Sequence, residues 1–385
     1  MNTPMKIPFH RVQLNSEEID IVTDVIKSGW LTMGEKTFEF ENRFSEYIGS
    51  SNSIAVNSCT AALHLALKAA GIKAGDEVIL PAMTFIATWE VVAYLGAVPV
   101  LCDVTDNFLI DPDDIERKIT PKTKAVIPVH YGGEACSMDA ILSLARRHKL
   151  IVIEDAAHAL PAFYHKKMVG LIGDITCFSF YATKTLTTGE GGMVTTENKE
   201  WAERIKRLRL HGITKDAWNR YSDKGSWEYD ISEAGYKYNM TDIAAAIGIE
   251  QLKKTDSMNL ARREIAVEYI KAFSKTDLLE TWNVRDHNEC AWHLFPIKLN
   301  LGALKINRDQ FINEMKRNNI GTSVHYIPLY RFSMLADSGY NREDFKVCED
   351  IFSRQVSLPI YPEMSLAETD YVIDKVLEIL NGNKR

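Results

Sequence analysis

An α/β architecture, a mainly parallel sheet between helices followed by a smaller α+β domain, is what this 385-residue sequence predicts. Three observations carry that expectation. Short apolar runs alternate with amphipathic segments from residue 53 to residue 154, the pattern of strands joined by crossover helices that cover both faces of a sheet. A charged, polar segment between two helical patterns, near residues 254–259, marks a domain boundary. The length also exceeds the roughly 250 to 300 residues at which a single core stops growing, so a large domain over 1–254 and a small one over 255–385 are expected.

The elements follow in order. Asn15 with Glu18 three positions on makes a capping box and opens a helix on which Ile19, Val22 and Ile26 share a face until Gly29. Residues 28–34 form a loop, and a second helix carries Phe40, Phe44, Tyr47 and Ile48 at helical spacing up to Gly49. Strands are expected at 53–56, 77–80, 98–103, 125–130 and 150–154, with helices at 61–70, 86–95 and 138–148. A strand pair at 175–180 and 192–196 flanks a Gly-rich turn, and a charged helix at 199–210 comes next. Residues 213–239 are polar with little periodicity, but Trp218, Trp227, Tyr229, Tyr236 and Tyr238 argue against disorder and for a functional connection. Helices at 242–253 and 260–273 bracket the boundary, and the small domain holds strands at 293–299 and 322–326 and helices at 308–317 and 366–380.

The composition is that of an ordinary soluble protein, with 46% apolar and 25% charged residues and a net charge of -7, so a nucleic-acid footprint is not expected. Six scattered cysteines, without a C-x-x-C pair, read as small buried hydrophobes in a reducing compartment. The N-terminus lacks a charged and then apolar leader, and no stretch approaches 18 uninterrupted apolar residues. A cytoplasmic enzyme free of the membrane, without a metal, is the expectation.

Four features fall at strand ends of the proposed sheet, where ligands of such sheets bind. Thr60 and Ala61 open a helix directly after a strand, and exposed amides at a helix start suit a phosphate. Asp155 ends a fully apolar strand, where a carboxylate asks for a cation. Lys184 sits in the Gly-rich turn among Phe180, Tyr181 and Leu186, where burial would make its amine nucleophilic. Phe85 ends another strand and could lie flat on a planar ligand. Each feature has a bland alternative: an ordinary turn, a helix-capping Asp, an exposed Lys, a core Phe. Together they describe a pyridoxal 5'-phosphate site, with Lys184 bonded to the cofactor, Asp155 on the pyridine nitrogen, Thr60, Ala61 and Ser179 on the phosphate and Phe85 on the ring.

The segments 56–64, 153–159, 178–192 and 235–242 resemble the DegT/DnrJ/EryC1/StrS nucleotide-sugar aminotransferases, and the resemblance runs from about residue 8 to the last helix. Within that family the chain is similar to the UDP-4-amino-4-deoxy-L-arabinose aminotransferase and spore-coat polysaccharide branches, notably at 216–220 and 235–239. The resemblance implies a PLP-dependent transferase of fold type I, a homodimer with active sites shared between subunits, and a pyridoxamine 5'-phosphate form between two half-reactions. It further implies L-glutamate as amino donor and a nucleotide-linked keto sugar as acceptor, C4 being favoured, for surface polysaccharide, lipopolysaccharide or glycoconjugate synthesis. By the same resemblance Asn239 would reach the partner's cofactor phosphate, and His158 would face the phenolic oxygen. Thr32, Trp218, Arg220, His325 and Tyr326 would then sit near the sugar nucleotide.

Two departures stand out: Tyr181-Ala182 replaces a common His-Pro, and Pro328-Leu-Tyr330 replaces Pro-Leu-His, which points to a different sugar. Two other readings remain open at this stage. A sugar 3-dehydratase using pyridoxamine phosphate would carry His where this chain has Lys184. A sugar-nucleotide-binding regulator without activity would not need Lys184, Asp155 and Ser179 together.

Overall fold

The computed structural model describes residues 5–213 and 229–385. The capping box at Asn15 forms, Glu18 accepting the Asn15 amide at 2.8 Å, and opens α1 (Ser16–Ser28). α2 (Glu35–Ile48) begins where the Gly34 and Thr37 amides donate to the Asp242 carboxylate at 2.7 and 3.0 Å, an anion placed at the positive end of the helix. Phe40 and Phe44 on its inner face pack against Phe178 and Phe180. A buried ion pair joins Glu41 to Arg209, and both also bond the Ala55 backbone, which ties α2 to the first strand.

Strands and helices then alternate: β1 (Ser53–Val56), α3 (Cys59–Ala69), β2 (Glu77–Pro81), α4 (Ile86–Ala93), β3 (Val98–Cys102), α5 (Pro112–Lys118), β4 (Thr123–Val126), α6 (Met138–His148) and β5 (Ile151–Asp155). Two short strands, β6 (Phe163–Tyr164) and β7 (Lys167–Met168), precede β8 (Ile175–Ser179), β9 (Gly192–Thr195) and α7 (Lys199–Leu208). The main sheet has seven strands in the order β1-β9-β8-β5-β4-β2-β3. β2 to β5 and β8 pair in parallel, and β9 runs antiparallel to both β8 and β1. Six strands therefore point one way, and their carboxyl ends share one edge. Near-total burial of Ile54, Val56, Ile79, Val126, Val152 and Ile153 explains why these strands read as unbroken apolar runs.

α8 (Asp242–Lys253) and α9 (Thr255–Phe273) lead to β10 (Leu279–Thr281), β11 (Asn288–Glu289), β12 (Phe295–Leu299), α10 (Arg308–Arg317), α11 (Lys346–Arg354), β13 (Gln355–Leu358) and α12 (Leu366–Gly382). β10, β12 and β13 form a three-stranded antiparallel sheet, with α9, α10 and α11 packed against it. β11 instead pairs with β6 of the preceding region. Two expectations are corrected. The polar segment before residue 260 is helical, because α9 starts at Thr255, directly after α8. Residues 322–326 are not a strand: only Ser323 bridges, to Ser357 on the outer edge of β13, and the chain then leaves the sheet.

Candidate active site

The shared edge of the main sheet collects the chemistry. Along β5 alternate side chains face opposite ways. Glu154 turns to one side, where His130 lies at 2.8 Å, Thr176 at 2.7 Å and the Gly173 amide at 2.7 Å. Asp155 turns to the other. Its carboxylate is 5% exposed and accepts two hydrogen bonds, from the Thr88 hydroxyl at 2.9 Å and the Ala157 amide at 3.1 Å. Burial raises its pKa, against the pull of those two donors and of Lys184.

β8 delivers the chain to the turn that carries Lys184, and β9 takes it back. The turn is laced by its own backbone: Phe180 N–H donates to Gly191, Thr188 N–H to Phe180 and Lys184 N–H to Tyr181, each at 2.9 Å. Thr185 donates to the Leu160 carbonyl, and His10 Nε2 donates to the Ala182 carbonyl at 3.2 Å from the N-terminal arm. Lys184 is half-buried, and burial pulls its ammonium pKa down to about 8. Near neutral pH an appreciable share of it is free amine.

β1 enters α3 through Ser58, whose hydroxyl caps the helix by accepting the Ala61 amide at 3.1 Å. Gly192, the first residue of β9, lies so close that a Cβ there would stand 2.6 Å from the Ser58 carbonyl carbon. The helix start, its dipole and the lysine turn thus meet at one point.

The opposite wall comes from the rest of the molecule. Phe85, just before α4, is 59% exposed and holds its ring 6.0 Å from that of Tyr326. The His325–Tyr326 peptide is cis, and His325 bonds Ser357 at 2.9 Å and stacks on Phe9. His158 contacts the Tyr326 hydroxyl at 2.9 Å and packs against His293 with ring centroids 4.4 Å apart. Burial, followed by the charge of Lys184, lowers the pKa of His325 to about 4.

Of the residues expected at the site, Thr60, Phe85, Asp155, His158, Ser179, Lys184, His325 and Tyr326 line one cavity of about 440 Å³. Ala61 stands one position behind its wall, with its amide spent on the Ser58 cap. Asn239 is buried against β1, bridged to Val56, with its side chain on the Met240 carbonyl at 3.2 Å. Thr32 is exposed away from the cavity, and its carbonyl accepts the Asp242 amide. Trp218 and Arg220 lie outside the described residues. Tyr330, at the unusual Pro-Leu-Tyr, is buried and donates to Glu349 at 2.8 Å. Thr88, His293, Tyr181 and Glu190 also line the cavity. Thr88 is the third residue of α4 and was findable only as a hydroxyl on the helix that follows Phe85.

Pyridoxal phosphate fits this geometry. The cavity offers a half-buried amine of lowered pKa and a buried carboxylate without an ion-pair partner among the described residues. An exposed aromatic face and a helix start complete it. Fold and site together define a lysine-dependent enzyme of the pyridoxal phosphate class. The chain belongs to the DegT/DnrJ/EryC1/StrS aminotransferase family, whose model matches residues 12–377. It is 52% identical over 380 residues to an uncharacterised protein of Methanocaldococcus jannaschii, covering 98% of each chain. It is 47% identical over 379 residues to the spore coat polysaccharide biosynthesis protein SpsC of Bacillus subtilis, covering 98% of this chain and 97% of that one. Among solved structures, a putative sugar aminotransferase of Streptococcus pneumoniae in its PMP-form superposes with a TM-score of 0.92 at 34% identity, covering 98% and 99% of the two chains; that protein is also solved in a PLP-form. The chain is therefore a PLP-dependent sugar aminotransferase of fold type I.

Proposed function

We propose that this enzyme moves the amino group of L-glutamate to C4 of a nucleotide-linked 4-keto hexose or pentose, as a homodimer in the cytoplasm, on a route to a surface polysaccharide. The observation that carries the reading is the lowered pKa of Lys184 in the same cavity as Asp155, which has no ion-pair partner among the described residues. The likeness to a spore coat polysaccharide biosynthesis protein supports the choice of pathway.

In this reading Thr60, Ala61 and Ser179 would hold the cofactor's phosphate, Phe85 would cover its ring and His158 would face its phenolic oxygen. Asn239 reaches the partner's phosphate, and Thr32, Trp218, Arg220, His325 and Tyr326 serve the sugar nucleotide. Residues 1–254 form the cofactor domain and 255–385 the small one. When bound, the cofactor supplies an electron sink for the carbon that bears the amino group. The chain's own residues do the rest. Asp155 holds a positive charge at the ring nitrogen, which keeps the sink open. Lys184 Nζ lies in the same cavity and would take and return the proton as base and acid in both half-reactions. Neutral His158, His293 and His325 add no competing charge.

The test is a coupled glutamate assay over a panel of 4-keto and 3-keto nucleotide sugars, with Lys184→Ala as control. Turnover with a 4-keto sugar, lost in the variant, is expected. Turnover with none, or an active variant, refutes the proposal.

A further inference from the structure

Both ring nitrogens of His158 are engaged, and their partners decide where its proton sits. The Gly132 amide donates to Nδ1 at 3.1 Å, and a ring nitrogen that accepts carries no hydrogen. Burial holds the imidazole pKa well below its usual value, with Lys184 adding to the effect, so the ring is neutral. Its single proton is then on Nε2, 2.9 Å from the Tyr326 hydroxyl oxygen. That oxygen accepts, which leaves the hydroxyl's own proton to be donated elsewhere. Tyr326 keeps that proton, because burial and then the Asp155 charge raise its pKa. The acceptor available to it is whatever occupies the cavity it lines with Lys184 and Asp155.

The device that sets this order is rigid. Gly132 has φ 63°, and a Cβ there would lie 2.5 Å from the ring of Trp282. The position is therefore closed to any side chain, and its amide is a fixed donor.

We propose that Tyr326, rather than His158, gives the hydrogen bond to the anionic ring oxygen of bound pyridoxal phosphate, with His158 as the positioning residue that aims it and the Gly132 amide as the group that sets its tautomer. This rests on the cofactor placement proposed above. A donor to that oxygen stabilises it most when the neighbouring nitrogen, supplied by Lys184, has lost its proton. Its removal must therefore raise the pH midpoint of the visible absorbance band. The other histidines at the wall, His293 and His325, are held neutral by burial and add no positive charge beside that oxygen.

Two measurements test the proposal. In the cofactor-loaded protein, Tyr326→Phe should move the absorbance midpoint up by about one pH unit, the worth of one hydrogen bond to a charged oxygen. His158→Ala should move it the same way, and in the Tyr326→Phe background should add nothing, because the two act through one proton. An unchanged or lowered midpoint in Tyr326→Phe, or additive shifts, overturns the proposal. In the cofactor-free protein, nitrogen NMR of labelled histidine should show the His158 signal, assigned by its loss in His158→Ala, as the Nε2–H tautomer from pH 6 to 8, the range about the ordinary histidine pKa. A protonated Nδ1 overturns it. That second readout needs no bound cofactor, so failure of the cofactor placement, seen as no visible band in the wild type, is distinguishable from failure of the proton assignment.

Discussion

Replacing Asp155 by Asn should make the empty protein more stable and the cofactor bind worse. The carboxylate is 5% exposed, holds two hydrogen bonds, and is charged in a place where burial raises its pKa. An amide keeps both bonds without a charge to bury: it accepts from Ala157 and donates to Thr88, whose hydroxyl then turns to Thr84 at 2.9 Å. The variant is relieved of a charge that burial penalises, so the empty protein gains stability. With an unfolding entropy of about 2.1 cal/mol/K per residue over 385 residues, Tm rises, by about 1 °C for each kcal/mol gained. The sign with pH is fixed by linkage. The folded pKa lies above the unfolded one, so the wild-type empty protein gains stability as pH falls through the window between them and loses it as pH rises. The Asn variant lacks that slope. Its cofactor loses a buried charge partner, a cost of about 3 kcal/mol or roughly a hundredfold in Kd. Melting curves of both forms and an absorbance titration with PLP measure these effects. An empty variant that melts below the wild type, or an unchanged Kd, refutes the reasoning.

Three further expectations concern the neighbouring walls. Because burial brings Lys184 to about 8, stopped-flow capture of PLP by the empty protein should speed up with pH and level off above that value; a midpoint near the ordinary lysine pKa would refute the shift. The same depressed value means that the empty protein gains stability as pH rises from about 8 toward the unfolded lysine pKa. Gly192→Ala should cost about 1 to 3 kcal/mol through overpacking against Ser58 and weaken PLP binding; a phosphate affinity equal to the wild type counts against the close approach seen there. Glu154→Ala strips His130, Thr176 and the Gly173 amide of their shared partner and should lower stability by about 3 kcal/mol in urea titration, whereas a loss under about 1 kcal/mol would show that water replaces the carboxylate.

The parts of this site legible in the sequence share a cause. Asp155, Lys184, Thr60 and Phe85 sit where an apolar strand stops or a helix begins, and burial and charge leave a mark on composition at such points. The sheet rule then brings strand ends together without any knowledge of strand order. What escaped reading lacked that mark. Thr88 reaches Asp155 from inside a helix turn, His293 enters from the small domain, and Gly132 acts through a backbone amide. Residues 322–326 read as a strand because Val324 and Tyr326 alternate with polar neighbours. There only His325 and Tyr326 line the cavity, and β12 takes its sheet partner from β13. The start of α9 was misplaced for a similar reason: Asp256 and Ser257 look like a linker, yet Thr255 and Met258 are buried.

The hairpin of β8 and β9 separates what this enzyme must keep from what it can vary. Ser179 and Gly192 face each other across the pair, so the loop between them is closed at its base inside the sheet. Its inner backbone bonds hold the lysine, while Tyr181 and Glu190 are exposed on the same loop and line the cavity. The lysine and part of the cavity wall are thus carried by one segment but anchored differently. A change of side chain at 181 or 190 would alter the cavity wall while the backbone bonds that hold the lysine turn stay in place.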